Sequence, residues 1–437
     1  MASEWTVRPL EDCMAALIDY RGKTPQKTSF GIPLITAKVV KGGRIETPDE
    51  FIAVDDYEPW MRRGIPKAGD VVITTEAPLG EVAQLGTGRV ALAQRLIALR
   101  GKSGVLDNGF LKFLMQSEDV QDQLRARASG TTVLGIKQSE LRKVLLTLPP
   151  IDEQRAIAHI LGTLDDKIEL NRRMNETLEA IARALFKSWF VNFDPVRAKA
   201  EGRDPGLPKH SADLFPDSFE DSELGEIPKG WRIGTLADLA ELNPETWTKS
   251  TAPDEIEYVD LANTKWGKIE ETQKYLWTDV PSRAQRILQP GDTIVGTVRP
   301  GNGSFALIAQ EGLTGSTGFA VLRPRKASYE EYTYLAATSS DNIDRLSHLA
   351  DGAAYPAVRP DVVLITRVIL PGDSLLKRFA SVAKPIMAKI ASNERESRTL
   401  ASLRDALLPK LISGELQVPF QSDVAAKGSR YEKDQRT

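Results

Sequence analysis

Two short segments of the sequence carry the glycine, lysine and hydroxyl residues with which a phosphate-binding loop ends. They are Gly22-Lys23-Thr24 and Gly101-Lys102-Ser103. Such a loop also requires a glycine five positions earlier, so that backbone N–H groups can surround the phosphates. Those positions hold Leu17 and Leu96. Neither segment therefore predicts nucleotide binding.

The motifs needed for methyl transfer are also incomplete. A methyltransferase acting on an amino group would need a glycine-rich turn for its cofactor and an Asn/Asp-Pro-Pro-aromatic loop for its target. Asn243-Pro244-Glu245 and Asp194-Pro195-Val196 both lack the second proline and the aromatic residue, and no G-x-G-x-x-G occurs. The sequence therefore predicts no cofactor-binding site for this reaction.

A pair of carboxylates followed by lysine, as in a metal-dependent nuclease, could be formed by Asp152 with Asp165-Asp166-Lys167. These residues fall within a predicted long helix, where a solvated helix face is the better interpretation. We therefore expect no catalytic residues and no metal site, and the chain by itself is predicted not to be an enzyme.

Histidine and cysteine residues form no metal-binding motif. His159, His210 and His348 are far apart in the sequence, and the single Cys13 excludes a disulfide framework and a cysteine-rich zinc site. Low cysteine usage is typical of a reducing cytoplasm. Because the sequence has no apolar run of about 18 residues and no signal-peptide pattern, we expect a cytoplasmic protein without a membrane span.

Length and charge limit the remaining functions. The 437 residues predict two or three domains, and the formal net charge is −3. Proteins that bind nucleic acid usually carry a basic domain or patch. If this chain binds DNA, its basic groups must therefore be local, or another subunit must supply much of the contact with phosphate.

The longest predicted element begins at Pro149-Pro150, where two prolines and an acidic first turn indicate a helix N-terminus. The following apolar positions recur at spacings of four and three, which is typical of a coiled-coil seam. The seam positions are Ile157, Leu161, Leu164, Ile168, Asn171, Asn175, Leu178, Ala182, Leu185 and Trp189. A helix of about 39 residues, roughly 58 Å long at 1.5 Å per residue, is predicted.

The same seam occurs a second time, 222 residues later. Its positions are Phe379, Ala383, Ile386, Ile390, Asn393, Ser397, Leu400, Arg404, Leu407 and Leu411. A repeat of about half the chain predicts two related halves. Asn171 coincides with Asn393, and a buried asparagine in a seam fixes register at a cost in stability. Asn171 and Asn393 are therefore predicted to set the register of two helices packed side by side.

The segments before the two helices repeat as well. Residues 1–147 have the pattern of a mixed α/β domain, with four strand-like runs and one helix over 109–128. Gln289-Pro290-Gly291-Asp292 matches Lys67-Ala68-Gly69-Asp70 at the same offset of 222. Residues 191–230 are rich in proline and glycine and predict a connector between the halves.

Three segments, 148–154, 186–195 and 224–231, resemble the specificity subunit (HsdS) of Type I restriction-modification systems. The similarity covers nearly the whole chain, whose two globular segments and two helices follow that family's arrangement. The second helix departs from the pattern, since it opens with Leu370-Pro371-Gly372-Asp373-Ser374 and lacks the Glu-Gln pair of the first. Its N-terminal contacts are therefore expected to differ.

The resemblance implies an α+β fold with two pseudo-repeated mixed α/β target-recognition domains, separated by two long helices that form an antiparallel coiled coil. The expected division is 1–148 and 231–371 for the recognition domains, 149–193 and 372–416 for the helices, 194–230 for the linker and 417–437 for a disordered tail. Each domain would read one part of a bipartite site in double-stranded DNA, and the helices would set the spacing and dock partners.

The resemblance also implies the partners. Besides double-stranded DNA they are two modification (methyltransferase) subunits and restriction/translocase subunits. S-adenosylmethionine, ATP and Mg²⁺ are expected on those subunits, within an adenine-DNA methyltransferase and restriction complex, and no cofactor is expected in this chain.

Candidate DNA contacts are Arg, Lys, Asn and Gln on predicted loops, with hydroxyl groups nearby, because such side chains reach base edges and phosphates. In the first domain they are Arg62, Arg63, Lys67, Thr75, Gln94, Arg95, Thr132 and Lys137. In the second they are Arg283, Arg286, Arg299, Asn302, Ser304, Thr317, Tyr355 and Arg359. Arg299 and Asn302 are favoured, since flanking glycines let the backbone approach DNA closely.

Two other classes of function remain open at this point. A self-contained restriction or methylation enzyme would have to act without the motifs sought above. A coiled-coil scaffold without a DNA role would not need loops that differ between the two halves while the helices are kept.

Overall fold

The computed structural model describes residues 5–20, 24–352 and 355–418. The chain divides into two compact units, one made of residues up to 170 together with those from 396 onward, and one made of residues 171–395. Most of the predicted disordered tail, from residue 419, lies outside the described residues. We call these parts unit 1 and unit 2 and describe each by itself.

Two helices of 40 residues each, Ile151–Phe190 and Asp373–Ile412, are the longest elements. Each contributes one part to unit 1 and the other part to unit 2. In unit 1, Asp165 Oδ1 lies 2.8 Å from Arg404 Nη1, and Lys167 Nζ lies 3.3 Å from Glu396 Oε2. As residue numbers increase along the first helix, the numbers of the residues that they contact on the second helix decrease. The two helices are therefore antiparallel.

The same reversal holds in unit 2. Asn171 Nδ2 donates to the carbonyl of Asn393 at 3.4 Å, and Asn175 Nδ2 donates to the carbonyl of Ile390 at 3.2 Å. Ala182 of the first helix is fully buried in the apolar core of this unit. The two long helices and their antiparallel packing, both predicted from the sequence, are therefore confirmed.

Unit 1 is built on an antiparallel four-stranded sheet. Its strands in spatial order are Met14–Asp19, Leu96–Gly101, Val71–Thr75 and Leu79–Gln84. One face packs on the helices Asn108–Gln116 and Glu118–Arg127 and on the start of the first long helix through Phe110, Ile157 and Leu161. The other face packs on a small sheet of Phe51–Ile52, Ile32–Ile35 and Ala91–Leu92.

The helix predicted over 109–128 is two helices, because Ser117 interrupts it. Ser117 adopts an extended conformation with φ −64° and ψ 148°, and its Oγ donates to the Leu114 carbonyl at 2.7 Å. A serine that satisfies a backbone carbonyl in this way competes with continued helix. The periodicity of apolar residues continues across the break, so the pattern alone predicted one helix.

Unit 2 repeats the sheet. Its strands in the same spatial order are Ala240–Leu242, Phe319–Pro324, Thr293–Gly296 and Phe305–Leu307. Helices Glu330–Ala337 and Ser340–Leu349 correspond to the two helices of unit 1. A second sheet contains Gln273–Leu276, Glu255–Val259, Leu313–Ser316 and Ala284–Ile287. The scaffold of both units is therefore mixed α and β, as predicted.

Several smaller elements complete the two units. Strand Thr6–Pro9 pairs with Leu145–Leu148, and Arg232–Thr235 pairs in the same way with Arg367–Leu370. Three short hairpins pair Val40–Lys41 with Arg44–Ile45, Thr264–Lys265 with Lys268–Ile269, and Phe219–Ser222 with Gly225–Pro228. The short α-helices are Leu10–Cys13, Tyr57–Trp60, Gln138–Leu141, Asp194–Ala200, Lys209–Ala212 and Pro360–Leu364.

The connector 194–230 packs into unit 2 through aromatic side chains. Phe215 stacks edge-on against Trp189, with ring centroids 5.1 Å apart, and Phe190 contacts Phe379 at 5.0 Å. Trp231 joins the same buried cluster. Such pairs stabilise beyond the area they bury, so the connector is held firmly to the end of the first long helix.

Candidate functional site

Three loops of unit 1 meet at the end of the strand Val71–Thr75. The N–H of Thr75 donates to the carbonyl of Arg95 at 2.9 Å, and the N–H of Ile136 donates to the carbonyl of Thr75 at 2.9 Å. Glu76 also pairs with Gly135 through a single β-bridge. Because these bonds are between backbone groups, they place the three loops together whatever side chains the loops carry.

Strain and charge are both concentrated at this junction. Arg95 and Ala77 have left-handed backbone conformations, with φ of 75° and 50°. Non-glycine residues persist in this region only when their surroundings impose it, which occurs preferentially at functional sites. Arg95 Nε lies 2.9 Å from Glu76 Oε1, and both side chains are about half exposed. The junction therefore presents an oriented guanidinium at the surface.

The other candidates of unit 1 differ in exposure. Thr75 is only 2 % exposed, so it holds the loops together and does not face solvent. Thr132 and Lys137 are exposed on the loop that follows Ala128, and Gln94 is partly exposed next to Arg95. The structure thus brings Gln94, Arg95, Thr132 and Lys137 onto the loops that converge at Thr75.

Arg62, Arg63 and Lys67 lie on one segment that runs past the sheet. All three are exposed. Arg63 Nη1 donates to the carbonyl of Asp19 at 3.0 Å, at the sheet end where Thr75 lies, whereas the N–H of Lys67 donates to Asp70 Oδ2 at 2.8 Å, before that strand begins. Lys67 therefore lies at the opposite end of the sheet from Thr75.

Unit 2 repeats the backbone junction with the same geometry. The N–H of Thr297 donates to the carbonyl of Gly318 at 2.8 Å, and the N–H of Val358 donates to the carbonyl of Thr297 at 2.9 Å. Val298 and Ala357 form the single bridge. Each participant lies 222 or 223 positions after its counterpart in unit 1. The repeat therefore extends from the helices to the hydrogen bonds that join these loops.

The side chains at this second junction are different. The backbone of Arg299 adopts the left-handed helical conformation, with φ 49° and ψ 60°. Its N–H donates to the carbonyl of Pro356 at 2.7 Å. Its guanidinium lies 4.8 Å from the ring centroid of Tyr355, which is 72 % exposed. Stacking on an aromatic ring orients a guanidinium. Asn302 is exposed, and its N–H donates to the carbonyl of Arg299 at 2.9 Å.

The remaining candidates of unit 2 are tied into the scaffold to different degrees. Ser304 is 7 % exposed and its Oγ donates to the Leu261 carbonyl at 2.9 Å, so it shapes the loop from inside. Burial lowers the pKa of the Arg286 guanidinium, whose Nη1 donates to Thr246 Oγ1 at 3.3 Å. These two side chains are less available than Arg299 for contacts outside the protein.

Arg283, Thr317 and Arg359 lie nearer the surface. The N–H of Thr317 donates to the carbonyl of Arg283 at 2.7 Å, and Arg283 Nη2 lies 3.9 Å from Asp260 Oδ2. Arg359 pairs with Asp361 at 3.0 Å while 81 % of its side chain remains exposed. Both arginines are therefore exposed cations with a neighbouring carboxylate.

Sequence reasoning missed one exposed residue beside the second junction. Trp266 is 60 % exposed, has φ 48°, and its N–H donates to the carbonyl of Gly303 at 2.6 Å. A tryptophan-glycine pair between two lysines, Lys265 and Lys268, is the sequence signal that could have identified it.

Across residues 5–20, 24–352 and 355–418, no group of three or more His, Cys, Asp or Glu is placed to hold a metal ion. Nor does any helix in those ranges have the length and apolar character needed to cross a membrane.

Comparison with known proteins finds similarity to the specificity subunits of Type I restriction enzymes. A family model described as the Type I restriction modification DNA specificity domain matches residues 2–180. The MjaIX specificity subunit of Methanocaldococcus jannaschii is 25% identical over 436 residues, covering 95% of this chain and 94% of that protein. The HindI specificity subunit of Haemophilus influenzae is 25% identical over 428 residues, covering 84% of this chain and 90% of that protein.

The fold has a counterpart among solved structures. The Type I restriction-modification S subunit from M. genitalium superposes with a TM-score of 0.53 and 16% sequence identity, covering 94% of this chain and 96% of that one. The fold class predicted from the sequence is therefore confirmed, as is the resemblance to Type I specificity subunits.

Proposed function

We propose that this chain, which resembles Type I specificity subunits along nearly its whole length, is the sequence-specific DNA-binding subunit of a Type I restriction-modification complex. In this proposal each unit reads one part of a bipartite site. The observation that carries it is the repeated junction at Thr75 and Thr297, where identical backbone bonds hold loops with different exposed side chains. A constant scaffold with variable loops is the arrangement expected when two related domains recognise two different sequences.

The exposed side chains at each junction suit contacts with DNA. Arg95 in unit 1 and Arg299 in unit 2 are arginines held in defined orientations, by Glu76 and by Tyr355 respectively. Arginine bonded to the O6 and N7 atoms of guanine is the commonest specific contact in the major groove. Surrounding hydroxyl and basic groups would bind phosphates and fix the position of each unit on the duplex.

The long helices are proposed to set the spacing between the two parts of the site and to dock two modification subunits. Apolar side chains on their outer surfaces support the docking role, since Leu170 is 53%, Ile181 is 50% and Leu403 is 47% exposed although both helices already bury a seam. Restriction/translocase subunits would join through the modification subunits. S-adenosylmethionine, ATP and Mg²⁺ would then be bound by those partners.

The direct test is a methylome of cells that express this chain together with its modification subunit. The proposal requires methylated adenine in a bipartite motif with a fixed gap of unspecified bases. A continuous motif would contradict it. Methyl transfer by the purified chain with S-adenosylmethionine alone would instead favour a self-contained enzyme.

A further inference from the structure

A short hairpin in each unit presents basic side chains at the surface. In unit 2 it consists of Thr264–Lys265 and Lys268–Ile269, joined by Trp266-Gly267. In unit 1 it consists of Val40–Lys41 and Arg44–Ile45, joined by Gly42-Gly43. The two hairpins are related by an offset of 224 residues and have the same two-residue turn, in which both central residues have positive φ.

Backbone hydrogen bonds attach the hairpin of unit 2 to the loop junction of that unit. In unit 2 the N–H of Trp266 donates to the carbonyl of Gly303 at 2.6 Å, and that of Gly267 to the carbonyl of Phe305 at 2.9 Å. Gly303 ends the turn that carries Arg299 and Asn302. The hairpin of unit 2 is therefore fixed directly to the loop with the favoured contact residues.

The hairpin of unit 1 is attached in a related way. The N–H of Gly42 donates to Glu81 Oε2 at 2.9 Å, and the N–H of Glu81 donates to Thr74 Oγ1 at 2.9 Å. Thr74 immediately precedes the junction residue Thr75. The hairpin of unit 1 is thus linked through Glu81 to the strand end that carries the junction, whereas the hairpin of unit 2 is bonded directly to a loop proposed to read DNA.

The hairpins present basic side chains at the surface of each unit. Lys265 and Lys268 are exposed, and neither forms an ion pair with any residue that the structure describes. In unit 1, Lys41 is exposed and Arg44 lies 3.6 Å from Glu46. This contrasts with Arg95 at the junction of unit 1 and with Arg283 in unit 2, each of which faces a carboxylate.

The side chain of Trp266 is not required by the turn it occupies. The corresponding residue of unit 1 is Gly42, which adopts nearly the same backbone conformation, with φ 56° against 48° for Trp266. Glycine takes this conformation without strain, whereas tryptophan does not. The indole nevertheless remains 60 % exposed, edge-on against Phe305 at 5.8 Å.

The indole ring of Trp266 packs against the backbone of Gly303. A Cβ added to Gly303 would lie only 2.5 Å from the indole, so the ring rests against bare backbone. An unfavourable backbone conformation that is kept at an exposed aromatic residue points to a functional role at this position.

We propose that the two hairpins are further DNA-contacting elements, which deepens and rests on the function proposed above. Lys41 with Arg44 and Lys265 with Lys268 bind backbone phosphates beside each part of the site. Trp266 packs against the deoxyribose between the phosphates bound by Lys265 and Lys268, a contact that only unit 2 makes. The lysines supply affinity without sequence preference, because phosphates carry no sequence information.

The test uses the complex of this chain with its modification subunits. Its binding is measured to two labelled DNA duplexes, one that contains the recognition sequence found in the methylome and one that lacks it. The double variant Lys265→Ala/Lys268→Ala should bind both duplexes roughly tenfold more weakly, and the slope of log affinity against log salt should become less steep by about 2. The matched control is Lys209→Ala/Lys229→Ala, which removes two exposed lysines from the connector. It should leave both quantities unchanged.

Trp266→Gly separates binding from folding, since it installs the residue that unit 1 already has at this position. We expect a folded protein, because relief of the backbone strain offsets the lost packing against Phe305, together with an unchanged salt slope and several-fold weaker binding. Wild-type affinity and salt slope in both hairpin variants would overturn the inference. Failure of the proposed function is a different result, in which the wild-type complex does not prefer the bipartite duplex.

Discussion

Asn393 Nδ2 donates to Asn175 Oδ1 at 2.8 Å, so the buried asparagine of the second long helix pairs with a side chain one helical turn beyond the expected partner. Asn171 instead donates to the backbone carbonyl of Asn393 at 3.4 Å. Asn175 completes the arrangement by donating to the carbonyl of Ile390 at 3.2 Å. Three amides therefore link the helices, where the sequence indicated two.

The first prediction concerns this amide pair. Asn175→Ala and Asn393→Ala should each destabilise unit 2, and their effects should not add, because each removes the same hydrogen bond. A coupling free energy of about 0.5–1.5 kcal/mol is expected. Urea denaturation of the two single variants and the double variant measures it. Strict additivity would show that the bond contributes nothing to stability.

The second prediction concerns Gly130, whose φ is +123° and where an added Cβ would lie 2.1 Å from the carbonyl oxygen of Val133. Gly130→Ala should displace the loop that carries Thr132 and loosen recognition of one part of the site, leaving the other part unaffected. Binding to duplexes with single-base changes in each part measures this effect. Gly88→Ala is the matched control, because Gly88 has φ +119° but nothing within 4 Å of an added Cβ.

The third prediction concerns Arg299. Arg299→Ala should reduce discrimination at one base pair by about 1–3 kcal/mol, because an oriented guanidinium would be lost from the reading loop. Methylation rates on all single-base variants of the motif measure it. Arg325→Ala is the control, since Arg325 forms an exposed pair with Glu241 at 2.7 Å beyond the far end of the strand Phe319–Pro324. Equal methylation of every variant by both proteins would rule out the assignment of Arg299.

The fourth prediction concerns pH. Glu331 is fully buried, neither carboxylate oxygen has a hydrogen-bond partner among the described residues, and desolvation, aided by Glu330, raises its pKa to about 7. Between its ordinary value of 4.5 and about 7, the unfolded chain loses a proton that the folded chain keeps. Unfolding then releases protons, so this group's contribution to stability falls as pH rises through that range.

Glu331→Gln removes this titration while preserving the shape of the side chain. The free energy of unfolding of the variant should exceed that of the wild type by about 1–3 kcal/mol at pH 8, and the difference should shrink towards pH 5. Urea denaturation at pH 5, 6, 7 and 8 gives both curves. Glu311→Gln, which makes the same substitution at an exposed carboxylate, is the matched control. Parallel curves for Glu331→Gln and the wild type would contradict the prediction.

The fifth prediction follows from the proposed spacing role of the helices. Each helix passes from one unit to the other, between 170 and 171 in the first and between 395 and 396 in the second. Inserting seven helical residues at both places preserves the heptad pattern and adds about 10 Å of helix. The gap in the methylated motif should lengthen by about three base pairs with both parts unchanged. An insertion that alters either part, or leaves the gap as it was, would argue against this role.

Much of the fold was predictable because it depends on local patterns. The apolar spacing of four and three identified both long helices, and the offset of 222 identified their relationship, including the position of Asn393. Ser117 shows the limit of this reasoning. The apolar pattern continues across the helix break there, and the side-chain bond to Leu114 that accompanies the break does not alter the pattern.

The sequence by itself thus determined the repeat, the two helices, the mixed α/β halves and a set of exposed basic and polar loop residues. Only the tertiary structure decided which loops meet, because Thr75, Arg95 and Ile136 are joined by backbone hydrogen bonds, and backbone bonds carry no side-chain signature. It also placed Lys67 away from Thr75 and buried Ser304. The tertiary structure also identified the hairpin with Trp266. The positive φ of this tryptophan and the contact of its ring with Gly303 depend on the folded backbone and leave no pattern in the sequence.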